Sequence, residues 1–219
     1  MDRESRDCRP PLKVAVVGHS HVWRLEKFLN GDNVGMSRNE VRLEFIGKGG
    51  LTIAGLCHKR IVSKLRRFSP DAIVFFIGDN DINNQRSAEF VKECLIDAVK
   101  VISACIPSVT QVTISQLLPR HPGKYLTDER QANNYNVKAL AVNKLLYDEV
   151  PEINHQSIHF RFQRLREFCY GDERNKRFNN SKILYLKDGV HLNDAGLEKL
   201  KDRLKAILIK LVRSPRPRI

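Results

Sequence analysis

The sequence has 219 residues, of which 42% are hydrophobic and 29% are charged, with 12 glycines and 9 prolines. This length and balance fit one globular domain and exclude a disordered, collagen-like or low-complexity chain. Lys and Arg number 38 against 25 Asp and Glu, so the formal net charge is +13. A charge of this sign favours polyanionic partners, and nucleic acid therefore stays open as a partner through a basic surface.

The sequence predicts an intracellular, cytoplasmic protein. No apolar run approaches the roughly 20 residues that a membrane-spanning helix needs, and the charged start is unlike the apolar centre of a signal peptide. The cysteines are widely spaced: Cys8, Cys57, Cys94, Cys105 and Cys169. They lack the paired spacing of a disulfide framework or a zinc finger, which predicts reduced thiols.

Three segments are predicted along the chain. Residues 1–11 are polar, contain Pro10 and Pro11, and are expected to form a flexible N-terminal lead. Residues 12–212 alternate short apolar runs with longer helical patterns, which predicts one folded domain. Residues 213–219 are expected to form a basic C-terminal tail.

Short apolar runs rich in β-branched residues predict strands, and longer stretches with helical spacing separate them. The predicted strands are 12–17, 41–46, 72–77, 109–115 and 183–186. The predicted helices are 22–29, 53–68, 88–105, 130–147 and 194–212. Several strands are apolar almost throughout, which is typical of a parallel sheet covered on both faces. The fold class is therefore predicted as α/β, a three-layer α/β/α sandwich with a mostly parallel central sheet.

Two stretches, 116–129 and 162–182, break this alternation and are interpreted as surface loops or insertions near the sheet edge. Aromatic residues interleave with the arginines around the second stretch, a pattern that suits base stacking on nucleic acid. The same aromatics could equally anchor the loop to the core. Both interpretations stay open at this point.

The turns after the predicted strands are where a ligand would bind in such a sheet. Ser20 stands on a strand-to-helix turn two residues after Gly18, where a hydroxyl can serve as a nucleophile. A serine nucleophile needs a general base and an acid that orients this base. Asp188 and His191, three residues apart, have the right chemistry and spacing for both roles. These three residues form the predicted catalytic set.

Acyl transfer also needs donors aimed at the oxyanion that forms during the reaction. Three donors are predicted: the backbone N–H of Ser20, the backbone N–H of Gly50 and the side-chain amide of Asn80. The missing Cβ of Gly50 would let a substrate approach closely, and the amide of Asn80 donates without carrying charge. The supporting residues of these turns are Gly18, His19, Gly78 and Asp81.

Four motifs follow one another along the chain. They are Gly18-x-Ser20, Gly50-x-Thr52, Gly78-x-Asn80-Asp81 and Asp188-x-x-His191. In this order they resemble the four sequence blocks of the SGNH hydrolases, also called GDSL-type esterases. The resemblance implies a flavodoxin-like α/β/α fold, an acyl-enzyme on Ser20, a small ester or lipid ester as substrate, and no metal or cofactor. A further resemblance, to the SGNH-like esterase domains of some non-LTR retroelements, is compatible with the basic charge.

The first block departs from the pattern of that family, which usually reads Gly-Asp-Ser-Leu. Here His19 and His21 flank Ser20, so an imidazole replaces the acid of the nucleophile turn. A zinc site built on these two imidazoles is disfavoured, because alternate residues of an extended segment point to opposite sides. Two other functions remain as alternatives: a non-catalytic interaction module that keeps the fold, and a basic nucleic-acid-associated domain.

Overall fold

The structure is a computed structural model that describes residues 10–82, 85–155, 158–170 and 176–214. Within these residues, six strands form one sheet: β1 Leu12–Gly18, β2 Val41–Gly47, β3 Ala72–Phe76, β4 Gln111–Ser115, β5 Asn154–His155 and β6 Ile158–Gln163. Their order is β2-β1-β3-β4-β6-β5, with parallel pairing from β2 to β6 and an antiparallel pair at β5. The α/β fold class and the mostly parallel sheet are confirmed.

The described residues also contain seven α-helices. They are α1 Ser20–Leu29, α2 Ile53–Leu56, α3 Lys59–Phe68, α4 Ala88–Ala104, α5 Glu129–Glu149, α6 Lys176–Ser181 and α7 Asp194–Arg213. The helix predicted over 53–68 is split in two, because His58 leaves the helical conformation and its ring nitrogen accepts a hydrogen bond from the N–H of Arg60. An N-cap of this kind starts a new helix rather than continuing the old one.

The side chains of β1 divide the core into two halves. Leu12, Val14 and Val16 pack with the apolar faces of α1 and α7, whereas Ala15 and Val17 pack with α2, α3, α4 and α5. Both faces of the sheet are therefore covered by helices, which makes the three layers of the predicted sandwich. A strand buried on both faces has no polar face, and this explains why β3 is apolar throughout and β1 is apolar except for Lys13.

The strand predicted over 183–186 is wrong. Lys182–Leu184 form a 3₁₀ turn, and Tyr185 makes an isolated bridge with Leu192 instead of joining the sheet. The fifth parallel strand is β6, whose sequence Ile-His-Phe-Arg-Phe-Gln alternates apolar and polar residues. Such alternation marks a strand with one polar face, a pattern different from the continuous apolar runs of the central strands.

The segment 116–129, predicted as a surface loop, begins as a buried extension of β4. Its backbone is paired with two asparagine side chains of α5. The amide of Asn143 bonds both the N–H and the carbonyl of Leu117, at 2.8 and 3.1 Å, and the amide of Asn136 does the same for Arg120, at 2.8 Å each. Because these amides satisfy the backbone groups, the segment can lie inside the protein without losing hydrogen bonds.

The two predicted terminal segments fall largely outside the described residues, since 1–9 and 215–219 are not among them. None of the helices in the described residues combines the length and the apolar character that crossing a membrane requires.

Candidate functional site

Three of the predicted turns meet at one edge of the sheet. The strands β2, β1 and β3 are neighbours and run parallel, so the turns that follow them emerge side by side. The N–H of Lys48, after β2, donates to the carbonyl of Gly18, at the end of β1, over 3.1 Å. The strand order reverses at β1, and this is the switch point where ligands bind in flavodoxin-like sheets.

Gly18 lets the turn that carries Ser20 pass close to β3. A Cβ at position 18 would lie 2.2 Å from the carbonyl oxygen of Phe76, so no larger residue fits there. The N–H of His19 donates to the same carbonyl over 3.2 Å, and α1 begins at the next residue, Ser20. The N–H of Ser20 is therefore one of the free donors at the positive end of a helix, as its predicted oxyanion role requires.

Asp188 and His191 form the pair that their spacing predicts. His191 Nδ1 lies 2.7 Å from Asp188 Oδ2, while the N–H groups of Val190 and His191 donate to Asp188 Oδ1 over 2.9 Å each. Burial raises the pKa of Asp188, but the hydrogen bonds from His191 and Val190 outweigh it, so the pKa is lowered. An ionised Asp188 thus holds the imidazole by Nδ1 and leaves Nε2 free for a substrate or nucleophile.

Two glycines allow the loop of Asp188 to pack tightly against the segment that follows β4. Gly189 has a φ of +72°, and a Cβ there would lie 2.0 Å from the carbonyl oxygen of His121. A Cβ on Gly123 would lie 2.4 Å from the backbone of Asp188. The N–H of His121 also donates to the carbonyl of Gly189 over 2.8 Å. The acid–base pair is therefore held by direct backbone-to-backbone packing.

We expect Gly189→Ala to destabilise the protein. The new Cβ would clash with His121 and would need a left-handed backbone conformation, which alone costs about 1–2 kcal/mol. A loss of this size lowers Tm by about 2–8 °C for a chain of this length. Thermal unfolding checks this, with Gly49→Ala as control because a Cβ at Gly49 meets nothing within 4 Å. Equal Tm values for Gly189→Ala and the unaltered protein would contradict the packing described.

Ser20 and the acid–base loop line the same cleft at the sheet edge. The polar side of this cleft consists of His19, Ser20, His21, Asp79, Asn80 and Arg120. Its apolar side consists of Leu118, Pro119 and Val190. No hydrogen bond joins the described residues Ser20 and His191. The ring centre of His21, the residue after Ser20, lies 6.3 Å from the ring centre of His191. Hydrogen bonds of this type often tighten only when substrate binds.

The amide of Asn80 has a fixed orientation in the cleft. Its Nδ2 donates to the carbonyl of Leu51 over 2.9 Å, and its Oδ1 lies 3.5 Å from a guanidinium nitrogen of Arg120. The flipped amide would place oxygen against oxygen at Leu51 and nitrogen against nitrogen at Arg120. The donor of Asn80 is thus turned toward the turn that contains Gly50.

Gly50 is required by its backbone conformation. The N–H of Leu51 donates to the carbonyl of Lys48 over 3.2 Å, which closes a turn in which Gly50 has a φ of +68°. A Cβ at Gly50 would meet nothing within 4 Å. The positive φ gives a conformational reason for glycine here, in addition to the predicted close approach of a substrate.

Gly78 and Asp81 shape the turn after β3, as their supporting role predicts. Gly78 has a φ of +112°, and the N–H of Asp81 donates to its carbonyl over 3.0 Å. The carboxylate of Asp81 accepts the N–H of Ile53 over 3.0 Å, which ties this turn to the start of α2. Burial raises the pKa of Asp81.

Asp79, which no sequence pattern singles out, is the buried partner of His19. His19 Nε2 lies 2.8 Å from Asp79 Oδ2, and Asp79 Oδ1 accepts from the N–H of Leu118 and the hydroxyl of Tyr135 over 2.9 and 3.2 Å. Burial raises the pKa of Asp79, but the charge and hydrogen bond of His19 outweigh it and hold the pKa well below its usual range. An acid is thus present beside the nucleophile turn, supplied by the neighbouring strand.

His19 and His21 lie on the same side of the chain, with ring centres 4.9 Å apart. The expectation that they point to opposite sides is wrong, because α1 begins at Ser20 and the extended segment ends between them. Even so, no three His, Cys, Asp or Glu side chains among the described residues are arranged to share a metal ion.

The aromatic residues near the basic stretch 162–182 belong to the core. Phe160 and Phe168 are 7% and 1% exposed, and the hydroxyl of Tyr170 donates to the carbonyl of Leu117. Of the two interpretations of these aromatics, the structure shows the anchor in the core. Residues 171–175, which include Arg174, lie outside the described residues.

A family model matches most of the chain. The model is that of the GDSL-like lipases and acylhydrolases, and it matches residues 17–204, a range that includes every predicted site residue. Among curated proteins, none matches the sequence.

Solved structures share the fold at low sequence identity. A carbohydrate esterase family 3 protein from Talaromyces cellulolyticus is 17% identical with a TM-score of 0.61, over 94% of this chain and 100% of that one. A putative platelet activating factor from Streptococcus pneumonia is 19% identical with a TM-score of 0.60, over 93% and 86%. The psychrotrophic esterase EstA from Pseudoalteromonas sp., inhibited by monoethylphosphonate, is 13% identical with a TM-score of 0.55, over 92% and 98%. The likeness confirms the three-layer α/β/α architecture.

Proposed function

The chain belongs to the GDSL-like lipase/acylhydrolase family, and on that premise we propose that it hydrolyses carboxylic esters through an acyl-enzyme on Ser20. The observation that carries the proposal is the His191–Asp188 pair, with a 2.7 Å contact, next to the cleft that Ser20 lines. An imidazole held by a carboxylate at Nδ1 can accept a proton at Nε2 and return it, which is the work of a general base and acid.

In the first half of the proposed reaction, Ser20 Oγ attacks the carbonyl carbon of the ester. The hydroxyl proton passes to His191 Nε2, and the negative charge moves to the former carbonyl oxygen. The backbone N–H groups of Ser20 and Gly50 and the amide of Asn80 donate to this oxyanion. The bond to the alcohol then breaks, and His191 gives its proton to the departing oxygen.

The second half repeats these steps with water. His191 removes a proton from a water molecule, whose oxygen attacks the acyl carbon on Ser20. The second tetrahedral intermediate collapses, Ser20 Oγ regains its proton from His191, and the carboxylic acid leaves. Asp188 stays ionised throughout and stabilises the imidazolium that forms in each half.

We expect a fluorophosphonate probe to label the protein once, at Ser20. An activated serine attacks the phosphorus and displaces fluoride, and intact-mass spectrometry with peptide mapping locates the adduct. Ser20→Ala should abolish labelling, while Ser63→Ala, which alters an exposed serine of α3, should leave it unchanged. Absence of labelling in a protein with a normal melting transition would refute the proposed function.

A further inference from the structure

The cleft beside Ser20 contains a cation without a carboxylate partner. A guanidinium nitrogen of Arg120 donates to the backbone carbonyl of Asp79 over 3.0 Å and lies 3.5 Å from the side-chain oxygen of Asn80. Both of these oxygens are uncharged. Among the described residues, no carboxylate oxygen lies within 4 Å of this guanidinium, so its charge is not neutralised by contact.

Arg120 is also held rigidly. Its guanidinium carbon lies 4.2 Å from the centre of the Tyr135 ring, and its backbone N–H and carbonyl are both bonded to the amide of Asn136. The contacts with Asp79 and Asn80 both use one guanidinium nitrogen, Nη2, so the other nitrogens have no carboxylate partner among the described residues and can donate to a planar anion. A cation already fixed in place loses little conformational entropy when it binds.

His21 adds an uncharged polar group to the same cleft. It is 4% exposed, and its buried Nδ1 has no hydrogen-bond partner among the described residues. Burial and the neighbouring His19 lower the pKa of His21 well below its usual value, so the ring is neutral near pH 7. A neutral imidazole in the wall of the cleft can form a hydrogen bond with a substrate without adding a second charge.

The size and lining of the cleft disfavour a long apolar chain. The cleft is small, since the space in it amounts to about 240 Å³ even when open solvent is counted. Charged or polar side chains form most of its wall, and an aliphatic chain placed against them would remove their hydration without replacing it. An acyl group suited to this lining is therefore short and forms hydrogen bonds of its own.

We propose that the site selects esters whose short acyl group ends in a carboxylate, with Arg120 binding this carboxylate and His21 offering a neutral hydrogen bond. The inference rests on the proposed function and gives it a substrate class. A lipid ester, left open by the family resemblance, is then disfavoured as substrate because its acyl chain carries no anion for Arg120.

The test compares monomethyl succinate with methyl succinamate, whose terminal amide has nearly the same shape and no charge. Proton release measured in a pH-stat gives kcat/KM for each ester. We expect the unaltered protein to prefer the anionic ester by about tenfold or more, as for a hydrogen bond to a charged group. Arg120→Gln should bring this ratio close to one, and Arg120→Lys should keep part of it.

Arg164→Gln is the matched control, because Arg164 is exposed and its guanidinium lies over a different ring, that of Tyr147, at 5.7 Å. This variant should keep the preference. Thermal unfolding of Arg120→Gln shows whether the variant still folds. An unaltered protein without preference, or an Arg120→Gln variant that loses both activities equally and keeps the ratio, would overturn the inference.

Binding to Ser20→Ala separates this inference from the proposed function. Calorimetry with the two esters measures affinity without turnover, and monomethyl succinate should bind about tenfold more tightly. The added change Arg120→Gln should remove the difference. If Ser20 is labelled but neither turnover nor binding shows a preference, the substrate class is wrong and the hydrolase stands. If no ester is turned over but the binding preference depends on Arg120, the hydrolase is wrong and the carboxylate site stands.

Discussion

Replacing His191 with alanine is expected to lower kcat for p-nitrophenyl acetate by about 10⁶-fold, as is typical when the base of a serine triad is removed. Without an imidazole, the Ser20 hydroxyl keeps its proton and is a weak nucleophile. The three predicted oxyanion donors would remain, so a small residual rate above the uncatalysed reaction is also expected. Stopped-flow and steady-state measurements of p-nitrophenol release give the loss in kcat and the residual rate.

Asp188→Asn tests the second member of the pair. The loop can still hold the asparagine amide, but this neutral group cannot stabilise an imidazolium. We expect a loss of about 10⁴-fold in kcat, smaller than for His191→Ala. The control is His159→Ala, which alters an exposed histidine of β6 and should leave kcat unchanged. If His191→Ala retained more than about a tenth of kcat, general-base catalysis by this histidine would be ruled out.

The second large effect concerns stability, and it centres on Asp79. We expect Asp79→Asn to lower the free energy of unfolding by about 3 kcal/mol, the upper end of the range for leaving a buried hydrogen-bonding group unsatisfied. The carboxylate accepts three hydrogen bonds, from His19, Leu118 and Tyr135. An amide accepts at one atom only, so at least one buried donor would face an NH₂ group.

Such a loss corresponds to a decrease of Tm by about 6–12 °C for a chain of this size. Asp97→Asn, at an exposed position of α4, removes the same charge and should leave Tm nearly unchanged. Asp79→Asn with the Tm of the unaltered protein would mean that the buried pair does not stabilise the fold.

The same residue sets a pH dependence whose sign follows from its lowered pKa. Because the folded protein holds the Asp79 proton more weakly than the unfolded chain, the pair stabilises the fold fully above the unfolded pKa of about 4. That contribution is lost as the pH falls from there toward the lower folded value. Thermal unfolding between about pH 7 and pH 3 should therefore show a steeper acid decline for the unaltered protein than for Asp79→Asn.

The central part of the fold was predictable from sequence, because a strand that is buried on both faces has a nearly continuous apolar sequence. The runs that become β1 and β3 are apolar except for Lys13, and the stripe of α7 is continuous from Leu197 to Leu211. Strand β6 was not recognised because its sequence alternates apolar and polar residues. Residues 183–186 resemble a strand in sequence, yet they begin within the 3₁₀ turn Lys182–Leu184 and lead into the loop of Asp188.

The site was predictable where a short sequence segment makes both partners, as with Asp188 and His191. It was not predictable where partners come from distant segments. Asp79 meets His19 only because β3 lies beside β1, and Arg120 reaches the cleft only because α5 supplies Asn136 to hold its backbone. The lack of space for a side chain at Gly123 likewise depends on a loop 65 positions away, at Asp188. No local pattern of residues records such contacts.

The packing of α1 against α7 has a consequence for how the protein is made. Ser20 opens α1, whereas His191 directly precedes α7, and both helices cover the same face of the sheet. During translation, Ser20 leaves the ribosome long before His191, so under the proposed mechanism a nascent chain would carry the nucleophile without its base. The two residues can come together only after α7 has emerged and docked, because contacts this distant in sequence need the intervening chain. The proposed hydrolysis would therefore require the complete fold.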